Sequence, residues 1–255
     1  MRNTTLGNTG ISVSRLCFGT GTTGFNCQSV QSLTPPPEFG ALLRRAHDLG
    51  ITFWDTSDDY GTQVHVRHGM QGLERANLTI TSKTWAANAR DARASIERSL
   101  KELGTDYIDI LLMHEVDSPE EYEARQGALE ALHQAKRDGL VRAVGLSTHA
   151  ILTLELVAAD PAIDVILTNY NYAELHMDAG LHDYTAALEK AHAAGQGVVV
   201  MKTLAEGKLS HDVPGALRFN LSKPFIHSVT VGMRDLRELE EIASLAEQFD
   251  PVPAP

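Results

Sequence analysis

Four residues, Asp55, Tyr60, Lys83 and His114, have side chains that together support one kind of chemistry. A tyrosine alone is a weak acid, with an ordinary pKa near ~10. An ammonium beside it favours the tyrosinate and lowers that value, and a buried carboxylate holds the ammonium charged and in place. A neutral histidine can donate a hydrogen bond to a carbonyl oxygen. The set therefore suits delivery of a proton to an oxygen that is becoming an alkoxide. Such a proton has to be matched by an incoming hydride. No side chain supplies one, so a nicotinamide cofactor is the expected partner.

Each of these residues lies at, or just beyond, the end of a short apolar run rich in β-formers. The runs are 16–19, 52–56, 78–83, 107–114, 143–147, 165–169, 197–202 and 228–231. Eight runs across 255 residues give about 32 residues per unit, the size of a strand–helix pair. Several are almost continuously apolar, as parallel strands covered on both faces must be. Helical spacing fills the gaps. Ala92, Ile96, Leu100 and Leu103 lie three and four apart before Gly104, and a second helix is expected over 119–138, stopping at Gly139. A third is expected over 235–249, with Leu236, Leu239, Ile242 and Leu245 on one side. Strict alternation leaves a closed (β/α)8 barrel or a doubly wound sheet. Gly19, Gly21 and Gly24 have the G-x-G-x-x-G spacing of the latter, but no helix starts there before Pro35-Pro-Pro37. The barrel is the reading, and in a barrel the strand ends carrying Asp55, Lys83, His114 and Ser147 face one pocket.

A hairpin turning at Asn8-Thr-Gly10 precedes the first strand and is placed to plug the barrel bottom. The Pro-rich 250–255 reads as a stiff tail without a core face. No linker interrupts the chain, so residues 1–255 read as a single domain. A net charge of −11 argues against nucleic acid and anionic membranes as partners. Only Cys17 and Cys27 are present, which excludes a disulfide framework. No apolar run is long enough to span a bilayer and no signal peptide is evident, so a cytoplasmic setting is expected, with no obligate protein partner.

These residues resemble the aldo-keto reductase family along nearly the whole chain. The opening 6–14 is similar to its hairpin, and Phe53-Trp-Asp-Thr-Ser-Asp-Asp-Tyr-Gly61 to its Asp…Tyr-Gly signature. Ile80-Thr-Ser-Lys-Thr84 resembles its lysine strand, the stretch 98–114 its approach to the catalytic histidine, and Val144-Gly-Leu-Ser147 its fifth strand. The resemblance implies an NAD(P)H-dependent reductase of aldehydes or ketones. Tyr60 would be the general acid, aided by Lys83, Asp55 and His114, with a small-molecule carbonyl as substrate. It also implies cofactor contacts from Gly19, Thr20 and Gly21, from Ser147, Thr148 and Asn169, from Met201, Lys202, Leu204 and Gly207, and from Arg234 and Arg237. Asn169 would replace a usual glutamine whose place Leu167 takes, and Met201 a usual stacking tyrosine. The two arginines suggest NADPH ahead of NAD(H). Trp85 would wall the substrate pocket, left open by the short C-terminus.

Blander readings stand beside these. Asp55 with Lys83 could be a structural ion pair. Glu115 and Asp117 read as a solvated loop, and so do His65 and His68 on a helix face, with no metal site expected. His149 is a minor candidate for ligand contact. Two rival functions are a catalytically weak or inactive cofactor-binding barrel and a metal-dependent hydrolase; the second would need ligands at several strand ends, where only Asp55 and His114 qualify.

Overall fold

The structure, a computed structural model, describes residues 1–249; the expected tail at 250–255 lies outside them. A hairpin of β1 (Asn3–Thr5) and β2 (Ser12–Ser14) opens the chain. Eight parallel strands follow: β3 (Leu16–Gly19), β4 (Phe53–Asp55), β5 (Thr79–Thr84), β6 (Ile108–Met113), β7 (Val141–Thr148), β8 (Val165–Asn169), β9 (Gly197–Met201) and β10 (Ser228–Gly232). They pair in chain order, and β10 closes the barrel between β9 and β3. The helices are α1 (Pro36–Asp48), α2 (Gln63–Met70), α3 (Ala89–Leu103), α4 (Pro119–Ala124), α5 (Gln126–Arg137), α6 (Ile151–Val157), α7 (Leu181–Ala193), α8 (Val213–Leu221) and α9 (Leu236–Phe249). The fold is the (β/α)8 barrel with an N-terminal hairpin. No helix among the described residues is long and apolar enough to cross a membrane.

Two apolar layers follow from the strand alternation. Side chains such as Phe18, Trp54, Leu111 and Val144 point out against the helices. Cys17, Phe53, Ile110, Leu112, Ala143, Val165, Leu167 and Val199 point in, and Leu6, Ile11 and Val13 of the hairpin segment pack beneath them. The hairpin therefore closes the barrel bottom, so the open end lies at the strands' C-terminal side.

Local chemistry sets the helix ends. The side chain of Asn88 accepts from the Arg90 and Asp91 N–H groups at the start of α3, and Gly104 ends it at φ 66°, where a side chain is disfavoured. The single helix expected over 119–138 is two, broken at Arg125. Arg125 turns inward and is 4% exposed. Its guanidinium donates to the carbonyls of Thr84 and His114, at 2.9 and 2.8 Å, the ends of two neighbouring strands. Helical periodicity on the outer face does not register this inward pull. Arg125→Met leaves those buried carbonyls without their charged donor, and urea unfolding should show a loss of about 2–4 kcal/mol. A loss below about 0.5 kcal/mol would mean that the arginine does not hold the strand ends.

His227 ties the plug to the barrel. It is 7% exposed, and its ring nitrogens lie 3.0 Å from the Val198 N–H and 3.2 Å from the Gly7 N–H. Burial, helped by His192 and Arg15, holds its pKa down at about 4. The unfolded chain takes up this proton near pH ~6.5, before the folded one does. Stability attributable to His227 is therefore present above that pH and is lost as pH falls toward about 4. His227→Gln should lose about 2–3 kcal/mol less than the parent between pH ~7 and ~4.5. Parallel pH slopes in the two proteins would assign the acid sensitivity elsewhere.

Candidate active site

Asp55 ends β4, Lys83 lies near the end of β5, and His114 follows β6 directly. All three are buried, at 6%, 1% and 2% exposure. Lys83 Nζ contacts both Asp55 carboxylate oxygens, at 2.7 and 2.8 Å, and donates to the Thr56 carbonyl at 2.9 Å. Burial works against the ammonium, but Asp55, Tyr60 and their hydrogen bonds outweigh it, so Lys83 is held above its ordinary value. Tyr60 stands over this pair, its ring centroid 4.5 Å from Lys83 Nζ and its hydroxyl 3.2 Å from His114 Nε2.

The loop carrying Tyr60 is tethered on both sides. Asp58 accepts from Ser95 and Arg98, and Asp59 accepts from the Asn26 and Cys27 N–H groups. Gly21 and Gly24 lie against the Tyr60 ring. A Cβ would sit 2.1 Å from its Cε2 at Gly21 and 2.5 Å from its Cδ1 at Gly24. Their glycine spacing thus serves the approach to the tyrosine, and the next helix, α1, waits until Pro36.

The electrostatics differ from the simple expectation for Tyr60. Burial pushes its pKa up to about 12; Lys83 pulls it down, but not far enough to offset burial and Asp55. His114 moves the other way. Burial first, then Lys83, His149 and Arg125, hold it well below the ordinary value, so its imidazole is neutral. Its Nδ1 lies 3.1 Å from Ser57 Oγ, a neighbour that sequence reasoning did not single out. Ser57 is two residues from Asp55 on the tyrosine loop, and only the fold shows that it reaches the histidine.

A cleft of about 790 Å³ opens above these side chains. Among the expected cofactor residues, it is lined by Gly19, Gly21, Ser147, Met201, Lys202, Leu204, Gly207, Arg234 and Arg237. Thr20, Thr148 and Asn169 are buried outside that lining. The Thr20 hydroxyl bonds the Asp55 carbonyl at 2.9 Å and Thr62 at 2.7 Å, stapling β3 to the tyrosine loop. Thr148 bonds Asp117 and Ala150. Leu167 lines the cleft instead of Asn169. Asn169 donates to the His176 carbonyl at 2.6 Å, and its Oδ1 is buried without a partner. The cleft's volume suits a dinucleotide, and Ser147, Leu167 and Met201 line it together with Gly19 and Gly21, so the residues present fit a nicotinamide cofactor. Trp85 is 40% exposed, and its ring centroid lies 4.8 Å from that of His114.

Glu115 and His65 depart from the solvated expectation, whereas Asp117 meets it at 41% side-chain exposure. Glu115 lines the cleft, with Oε1 3.9 Å from His114 Nε2, and burial pushes its carboxyl up. Asp117 accepts from the His149 backbone N–H at 2.7 Å and contacts its Nδ1 at 3.1 Å. His65, on α2, is buried with Nε2 2.9 Å from the Thr34 carbonyl.

A family model described as the aldo/keto reductase family matches residues 15–244. The chain belongs to the aldo/keto reductase family. It is 28% identical to L-galactose dehydrogenase of Arabidopsis thaliana, over 95% of this chain and 87% of that protein. It is 31% identical to methylglyoxal reductase DkgB of Salmonella typhi over 68% of this chain, a match that spans 64% of that relative. The solved structure of an aldo-keto reductase from Pseudomonas aeruginosa matches with a TM-score of 0.81 at 26% identity, covering 97% of this chain and 94% of that one. The chain therefore has oxidoreductase relatives across nearly all of its length, and the buried ion pair, Tyr60 and His114 lie within the matched region.

Proposed function

We propose that the chain reduces aldehyde or ketone carbonyls to alcohols, reversibly, with a nicotinamide dinucleotide as the source of reducing equivalents. One observation carries this reading: the Tyr60 hydroxyl and a neutral His114 Nε2 lie 3.2 Å apart at the base of the cleft, backed by a buried Lys83–Asp55 pair. NADH or NADPH supplies the hydride when bound. Ser147, Met201, Lys202, Leu204 and Gly207 would hold it, together with Gly19 and Gly21. The Ser147 hydroxyl accepts from the Glu115 N–H at 2.9 Å, which leaves its own hydrogen free to donate.

The chain's own residues handle the carbonyl oxygen. His114 Nε2–H orients it, with Ser57 fixing the ring through Nδ1. Tyr60 then gives its proton to that oxygen as negative charge develops there. Lys83 stabilises the tyrosinate left behind, and Asp55 keeps the lysine charged and in register. A small-molecule substrate and a cytoplasmic setting accompany this reading.

The names of two relatives point to an assay panel: methylglyoxal and L-galactose, joined by simple aldehydes and ketones. Consumption of NADH or NADPH with at least one carbonyl, abolished when Tyr60 is replaced, is the expected result. A protein that binds either dinucleotide but consumes neither with any of these compounds would favour a non-catalytic barrel instead.

A further inference from the structure

The cleft differs chemically at its two ends. One end holds Tyr60, His114 and the Lys83–Asp55 pair. The other is lined by Arg234, Arg237, Glu238 and Glu241 at the start of α9. A dinucleotide with its reactive ring at Tyr60 would bring its adenosine within reach of these residues, which line the same cleft.

The cation expected to read a 2′-phosphate there is already engaged. Arg234 Nε donates to Glu238 Oε1 at 2.9 Å, Nη2 bonds the same oxygen, and the Arg234 backbone N–H donates to Oε2 at 2.9 Å. Glu238 is itself anchored, since its N–H bonds Asp235 Oδ1 at 2.9 Å. The acid is also the more deeply set partner, at 19% side-chain exposure against 65% for the arginine. Asp235, Glu238 and Glu241 thus offset Arg234 and Arg237 within about two helical turns. A dianionic phosphate entering here must displace the Glu238 carboxylate from Arg234 or lie against it, and close like charges repel. A ribose hydroxyl meets no such opposition: it can donate to a Glu238 oxygen while Arg234 stays in place.

We propose that Glu238 sets the cofactor choice of this chain, holding Arg234 and presenting a carboxylate to the adenosine ribose so that NADH binds ahead of NADPH. This rests on the dinucleotide-dependent reading above, and it reverses the preference that the two arginines suggest when read alone.

Equilibrium binding tests it without any substrate. NADH and NADPH are titrated separately into the parent, Glu238→Gln and Arg234→Ala, with calorimetry as the readout. The same is done with adenosine 5′-monophosphate and adenosine 2′,5′-bisphosphate, to place the effect at the adenosine end. The parent should bind NADH the more tightly. Glu238→Gln should tighten NADPH and the bisphosphate about tenfold, with NADH changed less than about threefold. Arg234→Ala should leave the parent's order unchanged, because its charge is already neutralised. A parent that prefers NADPH, a Glu238→Gln shift equal for both dinucleotides, or an Arg234→Ala variant that prefers NADPH overturns the proposal. Failure of both dinucleotides to bind the parent overturns the reductase reading and this proposal with it. Glu238 is a surface helix residue, and a thermal melt establishes that its variant is folded; Arg234→Ala decides the matter independently.

Discussion

Tyr60→Phe should lower carbonyl reduction by about 10²–10⁴-fold, the usual loss when a positioned acid is removed. Dinucleotide affinity should stay within about threefold of the parent, since the hydroxyl bonds His114 and the ring is kept. The ring still packs against Gly21 and Gly24 and beneath it Lys83 remains paired, so the fold should hold. The direction of the Tyr60 shift gives a second readout. With its pKa pushed up to about 12 by burial, Tyr60 keeps its proton across the ordinary assay range. Reduction should therefore show no alkaline fall from this group until pH approaches about 12. Alcohol oxidation, which needs the tyrosinate as base, should climb with pH instead. Reduction by Tyr60→Phe within about threefold of the parent would remove Tyr60 from the mechanism.

The strands were legible because a parallel barrel strand is buried on both faces and reads as an apolar run of fixed length. All eight expected runs coincide with strands, to within one residue at either end, or two where β7 begins early at Val141. The convergence of Asp55, Lys83 and His114 was legible for a related reason: each occupies the end of a strand, and closure brings strand ends together. What escaped depends on contacts that no local period encodes. Arg125 breaks a regular helical pattern because two strand-end carbonyls lie within reach of it. Ser57 meets His114 across 57 positions of chain, and the engagement of Arg234 by Glu238 depends on a side-chain rotamer at a helix start. Thr148 and Asn169 sit on the right strands, yet their side chains are spent on Asp117 and His176, which leaves Leu167 on the cleft wall. A charge at a strand end can be placed from sequence; the balance between burial and a neighbouring charge, which decides the Tyr60 direction, needs the packed site.

Lys83→Met is the second large effect, and it separates stability from chemistry. Lys83 is 1% exposed and Asp55 6%, so replacing the lysine strands a carboxylate among apolar neighbours. Breaking a buried pair on one side typically costs ~3–5 kcal/mol. The loss should depend on pH. Lys83 is what lowers the Asp55 pKa against burial, so without it that carboxyl rises further. A group whose folded pKa is raised contributes most below its unfolded value, ~3.9 for aspartate, and that contribution falls as pH climbs. The variant's deficit relative to the parent should therefore be smallest in mild acid and grow toward neutrality. Adding Asp55→Asn removes the stranded charge, so the double variant should recover about half or more of the lost stability. It should not recover activity, because nothing then steadies the tyrosinate. Urea unfolding of the parent, both single variants and the double at several pH values, alongside turnover, distinguishes the two roles. A pair that only braces the barrel would return activity along with stability; a pair that serves Tyr60 returns stability alone.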